Sequence, residues 1–309
     1  MAIVVVGAVF VDIKGFPDEL YNPTGRNAGR IEIVHGGVGR NVAEDIANVE
    51  LRPTFVSMVD DTATGAEVLR KLGKHKVNTD YVLTQPDGMG MWLAVFDNSG
   101  YLAGSISKRP RIDALADLLD EKGDEIFRDA DSIVIEVDMD KEIVKRILRY
   151  AEKYHKKVFG VVSNMAIASQ RRDFLKSIDC FVCNLQEAGI LFVNDFSELT
   201  PEELVEEMRQ RIVKANIPAL IVTLGSHGAV YVSADGESGF YPPEAVTVRD
   251  TTGAGDAFCA GVAIGLTYGK SLHESVHIGT HLAASVITIS ESTCPRFLPQ
   301  ELGLDVQVE

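Results

Sequence analysis

The spacing of apolar and polar positions changes character along this 309-residue chain. Ile3–Gly7 is an apolar run that ends in glycine, as a first strand buried on both faces would. A glycine- and polar-rich stretch follows from Lys14 to Gly29, and Arg30–His35 then alternates like a half-exposed strand. Val38–Val49 has helical spacing, and Thr54–Val59 is a short strand. A second alternating pair, Gly90–Phe96 and Tyr101–Ile106, is joined by the hairpin turn Asp97-Asn98-Ser99-Gly100. From about residue 112 the alternation is regular. Apolar strands at Ser132–Val137, Lys157–Val162, Cys180–Cys183 and Ala219–Thr223 alternate with helical segments near 140–154, 186–193 and 201–215. This predicts an α/β fold with a mostly parallel sheet covered on both faces, and ligands beyond the carboxyl ends of its strands. The outlying strands, at about 14–35 and 90–107, predict a small β lid inserted into one unit covering 1–309.

Charge narrows the range of partners. A net charge of −15 leaves no basic surplus for nucleic acid or an anionic membrane. No apolar run is long enough to span a bilayer, and the opening residues lack the basic region of a signal peptide, so a cytoplasmic location is expected. Cys180 and Cys183 form a C-x-x-C inside a strand pattern and, with Cys259 and Cys294, read as reduced thiols. Lys108, Arg109 and Arg111 form the densest basic cluster; they suit a solvated loop, or a pocket for one small anion.

The most informative stretch is Asp250-Thr-Thr-Gly-Ala-Gly-Asp-Ala-Phe258. Two glycines precede an apolar helical run, and helix starts carry free N–H groups and a positive dipole end. Gly253, Ala254 and Gly255 would cradle an anion, with Asp256 beside it as the group able to accept a proton. Anion cradle plus base is the equipment for phosphoryl transfer to a hydroxyl.

Four further patches each allow two readings. Asp12, after the strand ending at Gly7, is a polyol-binding carboxylate or a turn cap. Gly36-Gly37-Val38-Gly39-Arg40-Asn41 lets backbone approach a ligand, but lacks the third glycine of a dinucleotide fingerprint. Asn184 and Glu187, three apart after a strand, could orient the waters of Mg²⁺ or form a helix capping box. Thr223-Leu-Gly225-Ser-His-Gly228 suits a nucleotide phosphate or ribose, or a plain turn between strands. Two formal motif matches read as structure. His273-Glu-Ser-Val-His277, with His281 one turn on, matches a zinc-protease pattern on a helix with a packing surface. Gly265–Ser271 resembles a P-loop one residue short, and reads as one helix end and the next helix start.

In this order and on these elements the patches resemble the ribokinase-like (PfkB) carbohydrate kinases over nearly the whole chain. Within the family the likeness is to pseudouridine kinases, through Gly36–Ala47 with Arg40 and Glu44, Asp97–Gly100, and the tail Glu291–Pro295. Ser107-Lys108-Arg109 and Val161–Asn164 depart from that pattern, where Asn-Asp and Asp-Pro would stand. The resemblance implies a ribokinase-like three-layer sandwich whose lid closes over the acceptor. It implies that Asp12, Gly36, Gly37 and Asn41 bind the acceptor, and that Thr223, Gly225 and Gly228 line the ATP site. It implies that Asn184 and Glu187 hold Mg²⁺ through water, and that Asp256 is the base. Asp250 and Thr252 would border the K⁺ site that many, not all, members carry. The expected activity is ATP-dependent phosphorylation of a small sugar or nucleoside, with pseudouridine foremost. Another acceptor, or a non-catalytic sugar- or nucleotide-binding regulator, is the alternative. A homodimer through the lid edge is a further expectation.

Overall fold

Why Ile3-Val4-Val5-Val6 is apolar at every position is visible in the computed structural model, which describes residues 2–306. Ile3 and Val5 join one buried cluster with Val42, Phe258 and Leu282, whereas Val4 and Val6 join another with Leu115, Ile133 and Ile143. Side chains of a strand alternate between faces, so a strand packed on both sides needs apolar residues throughout. The two clusters fill the two seams of a three-layer sandwich.

In chain order the strands are β1 (Ile3–Val6), β2 (Phe10–Pro17), β3 (Gly29–Gly36), β4 (Thr54–Val59), β5 (Asn78–Thr84), β6 (Gly90–Phe96) and β7 (Leu102–Lys108). They continue as β8 (Ser132–Glu136), β9 (Lys157–Val161), β10 (Cys180–Asn184), β11 (Ala219–Thr223), β12 (Ala229–Ser233) and β13 (Ser238–Tyr241). The central sheet has the order β13-β12-β11-β10-β9-β8-β1-β4-β5. It is parallel except for β12 and β13, which are antiparallel to their neighbours at one edge. This is the α/β ribokinase-like architecture expected.

A second sheet has the order β3-β2-β6-β7. The polar stretch expected from Lys14 to Gly29 begins inside β2, which runs from Phe10 to Pro17, and is a connection only from residue 18 to β3. Pairing with β3 on one side and β6 on the other outweighs the weak strand preference of Lys14 and Gly15. Direct cross-strand partners share a face, so the sheet has two distinct sides. One carries the row Ile33, Ile13, Leu93 and Ile106, exposed at Ile33, Leu93 and Ile106. The other carries Asp12 opposite Trp92 and Lys14 opposite Ala94.

The helix Ala254–Thr267 lies against Leu272–Val286 with their backbones in close approach. A Cβ added at Gly261 would stand 2.6 Å from the Gly279 Cα. The tail after these helices is tied to the helix Val38–Asn48. Thr293 Oγ1 donates to Glu44 at 3.0 Å, the Cys294 N–H donates to Asp45 at 2.6 Å, and Asn48 Nδ2 donates to the Cys294 carbonyl at 2.7 Å. Arg40, 1% exposed, completes the junction with an ion pair to Glu44 at 2.5 Å and bonds to the His35 carbonyl and Ser292. Among the described residues no helix is long and apolar enough to cross a membrane.

Candidate active site

The signature stretch builds a helix N-terminus open to a ligand. Gly253 is the N-cap at φ 83°, a conformation that costs most residues but not glycine. A Cβ there would fall on the Ser292 carbonyl. The Ala254 N–H folds back to Thr251 O at 3.3 Å. The N–H groups of Gly253, Gly255 and Asp256 take no acceptor among the described residues.

Asp256 stands in the first turn of this helix, half-buried, and accepts a hydrogen bond from Asn41 Nδ2 at 2.6 Å. Burial pushes its carboxyl up to about 6, while the Asn41 bond and the Arg40 charge pull it down. At neutral pH it remains mostly ionised and can take a proton. Asn41 comes from the helix Val38–Asn48, whose N-cap is Gly37 at φ 101°. The Asn41 Oδ1 is buried without a partner. Asp12 packs against Gly36, where an added Cβ would lie 2.5 Å from its Oδ2. Burial raises the Asp12 carboxyl, against the nearby charges of Lys14 and Arg40. Asp12, Gly36, Gly37 and Asn41 therefore come together on one side of Asp256.

On the other side lies a cavity of about 650 Å³, lined by Asn184, Thr223, Gly225, Gly228, Gly255 and Phe258 among others. It ends at the open helix N-terminus. Asn184 and Glu187 form a reciprocal capping box, each backbone N–H bonding the other side chain at 2.8 Å. The other Glu187 oxygen takes no hydrogen bond from the described residues, and burial raises this carboxyl. Asp250 accepts the Thr252 N–H at 2.9 Å.

Glu136, which the sequence did not single out, lies beneath the glycine turn. Its Oε1 accepts the Ala8 N–H at 2.9 Å and the Gly39 N–H at 2.6 Å, joining the loop after β1 to the glycine turn. Burial, reinforced by the Asp138 charge, raises its carboxyl to about 8. A lone Glu inside an apolar strand was the signal available.

The remaining candidates go elsewhere. Lys108 pairs with Asp87 at 2.5 Å, and Arg109 donates to the Asp138 carbonyl at 3.0 Å, so this cluster is spent on local contacts. Ser163 bonds Asp138 and Asn164 caps a short helix. His273 bonds the Tyr231 hydroxyl at 2.8 Å, His277 stacks on Tyr241 and His281 pairs with Glu244. Ser271 and Glu274 form a capping box at the start of the helix Leu272–Val286, so the P-loop-like stretch is a helix end followed by a helix start. All four cysteines are buried free thiols.

Residues 2–296 match the family described as pfkB family carbohydrate kinase. The chain is 35% identical over 292 residues to a guanosine-inosine kinase of Exiguobacterium acetylicum, covering 94% of this chain and 95% of that protein. It is 27% identical over 295 residues to a pseudouridine kinase of Escherichia coli strain K12, covering 95% and 92%. Pseudouridine kinase is thus a relative, but the purine nucleoside kinase is more similar. The structure of Arabidopsis thaliana ribokinase complexed with ribose and ATP shares the fold at a TM-score of 0.83 and 24% identity, covering 98% of this chain and 99% of that one. With the family match spanning nearly its whole length, the chain belongs to the pfkB carbohydrate kinases and is an ATP-dependent kinase of a small sugar or nucleoside.

Proposed function

We propose that the chain transfers the γ-phosphoryl group of ATP to the 5′-hydroxyl of a nucleoside. The observation that carries this reading is the 2.6 Å bond from Asn41 to Asp256. It fixes a carboxylate between the acceptor-side glycine turn and the open helix N-terminus. Asp256 would take the hydroxyl proton as the acceptor oxygen bonds to the γ-phosphorus. The bond to the β,γ-bridging oxygen breaks, and its electron pair leaves with ADP. Gly253 and Gly255 would donate to the transferring group, and Thr223, Gly225 and Gly228 would border the nucleotide.

A nucleoside acceptor, rather than a free sugar, is supported by Trp92. It is the cross-strand partner of Asp12, so indole and carboxylate share the face turned to Asp256. Phe96 meets Trp92 edge-on at 6.5 Å and stacks on Phe16 at 5.0 Å, extending an aromatic wall along the lid. Such a wall suits a base. Similarity to a guanosine-inosine kinase supports a purine nucleoside, and pseudouridine is the second reading.

A bound Mg²⁺ would supply charge neutralisation for the triphosphate. The uncommitted oxygen of Glu187 and the adjacent Asn184 are oxygen donors suited to its waters. Asp250 and Thr252 would border a K⁺ ion. The exposed apolar row of the lid is proposed as the face of a homodimer in the cytoplasm.

The test is ADP formation from Mg-ATP with guanosine, inosine, pseudouridine, uridine, adenosine, ribose, fructose and fructose 6-phosphate. Preference for guanosine and inosine supports the purine reading, and preference for pseudouridine moves the second reading forward. Turnover of ribose alone sinks the nucleoside acceptor. Silence with ATP still bound turns the site into that of a binding protein.

A further inference from the structure

Lys14 is a lysine in an unusual position. It is 8% exposed, yet its ammonium has one hydrogen-bond partner, Thr252 Oγ1 at 3.2 Å. No carboxylate lies within 4 Å of it among the described residues. An ammonium has three donors, and burying one without an anion is costly. The surface lysines of this chain behave differently. Lys76, Lys108 and Lys153 each sit on a carboxylate at 2.5 to 2.9 Å.

Its place explains what the charge awaits. Lys14 is two residues beyond Asp12 on β2 and so projects from the same face. Of its two cross-strand neighbours, Glu32 is exposed and pairs with Arg30 at 3.0 Å, whereas Ala94 is fully buried and its small side chain leaves room for the lysine stem. Thr252 immediately precedes Gly253, the N-cap of the helix that bears Asp256. The ammonium therefore reaches from the second sheet to the rim of the open N–H groups. Asp12 and Asp250 both feel its charge, so the site is rich in carboxylates where a triphosphate would add more.

We infer that Lys14 is a catalytic cation delivered by the second sheet, which exchanges Thr252 for the γ-phosphoryl oxygens when ATP is bound. This rests on the phosphoryl-transfer reading of the same site. As the acceptor oxygen bonds to phosphorus and the bridging bond to ADP breaks, Lys14 donates hydrogen bonds to the equatorial oxygens and keeps its proton. Because the residue lies on the strand that also carries Asp12, engagement of the acceptor and arrival of this charge are coupled.

The experiment compares wild type, Lys14→Met and Lys14→Arg. Titration calorimetry measures binding of β,γ-methylene ATP and of ADP, each with Mg²⁺. Lys14→Met is expected to weaken the ATP analogue about tenfold and leave ADP within twofold, with Lys14→Arg close to wild type. In turnover with the preferred acceptor, kcat falls by about 10²-fold in Lys14→Met, as for loss of one donor to a transition-state oxygen, and recovers in part in Lys14→Arg. Equal binding of the analogue by wild type and Lys14→Met overturns the inference. So does an equal loss for ADP, or a kcat within threefold of wild type. A wild-type protein that binds neither nucleotide overturns the parent reading instead, and the wild-type titration alone reveals it.

Discussion

Asn41 and Asp256 are 215 residues apart in sequence, yet the Asn41 amide donates to the Asp256 carboxylate at 2.6 Å. One belongs to the helix after the glycine turn and the other to the helix after the signature loop. The bond joins the glycine turn to the open helix N-terminus, and it favours the ionised form of the carboxyl.

Asp256→Asn keeps the shape of the side chain and removes its basicity. Turnover is expected to fall by ~10²–10⁴-fold, the usual contribution of a positioned base. ATP affinity measured by calorimetry should stay within a few-fold of wild type. Activity near wild type would remove Asp256 from the mechanism.

Asn41→Ala removes the bond that lowers the Asp256 pKa, so that pKa moves further above about 6. Since the base works ionised, the acid limb of the kcat profile should move to higher pH. The loss should be larger at pH 6 than at pH 8. A uniform loss at all pH values would mean that Asn41 acts only in binding the acceptor.

Glu136 bears on stability. Its folded pKa, about 8, lies above the ordinary 4.5. Between these values the folded protein keeps a proton that the unfolded chain releases, so stability falls as pH rises through this window. Glu136→Gln can still accept both N–H groups but does not titrate. Wild type should lose melting temperature relative to Glu136→Gln between pH 5 and pH 8.5, by the equivalent of a few kcal/mol at most. Parallel curves would contradict this.

Gly253→Ala and Gly255→Ala separate conformation from space. At Gly253 the positive φ alone costs about 1–2 kcal/mol, and the new methyl meets the Ser292 carbonyl. A lower melting temperature and weakened nucleotide binding are expected. At Gly255 an added Cβ meets nothing within 4 Å. That variant should melt like wild type, and any defect should be confined to nucleotide binding and turnover.

Much of this could be read from the residues because the relevant signals are local. The edges of β4 and β11 follow from apolar runs, those of β6 from alternation before a hairpin turn, and the N–H cradle from glycines before a buried helix. What escaped notice depends on residues distant in sequence. Nothing near Lys14 marks it as buried, because Thr252 lies 238 positions away. Glu136 acquires meaning only where Ala8 and Gly39 converge on it. β13 is a four-residue strand of mixed polarity, and β5 is half polar. Their pairing partners, rather than their composition, make them strands. The aromatic wall was equally hidden, since it rests on the register that puts Trp92 beside Asp12 and on the stacking of Phe96 on Phe16.

The contact between Gly261 and Gly279 has a consequence for how acceptor preference can change. It locks the helix that bears Asp256 to the helix that supplies Thr280, Ala283 and Ala284 to the cavity of about 650 Å³. Asp256 and that cavity are thereby a single casting, while Asp12, Lys14 and Trp92 ride on a separate sheet. Grafting β2 and β6 from a relative with another acceptor should therefore re-address the enzyme without disturbing the phosphate chemistry beneath.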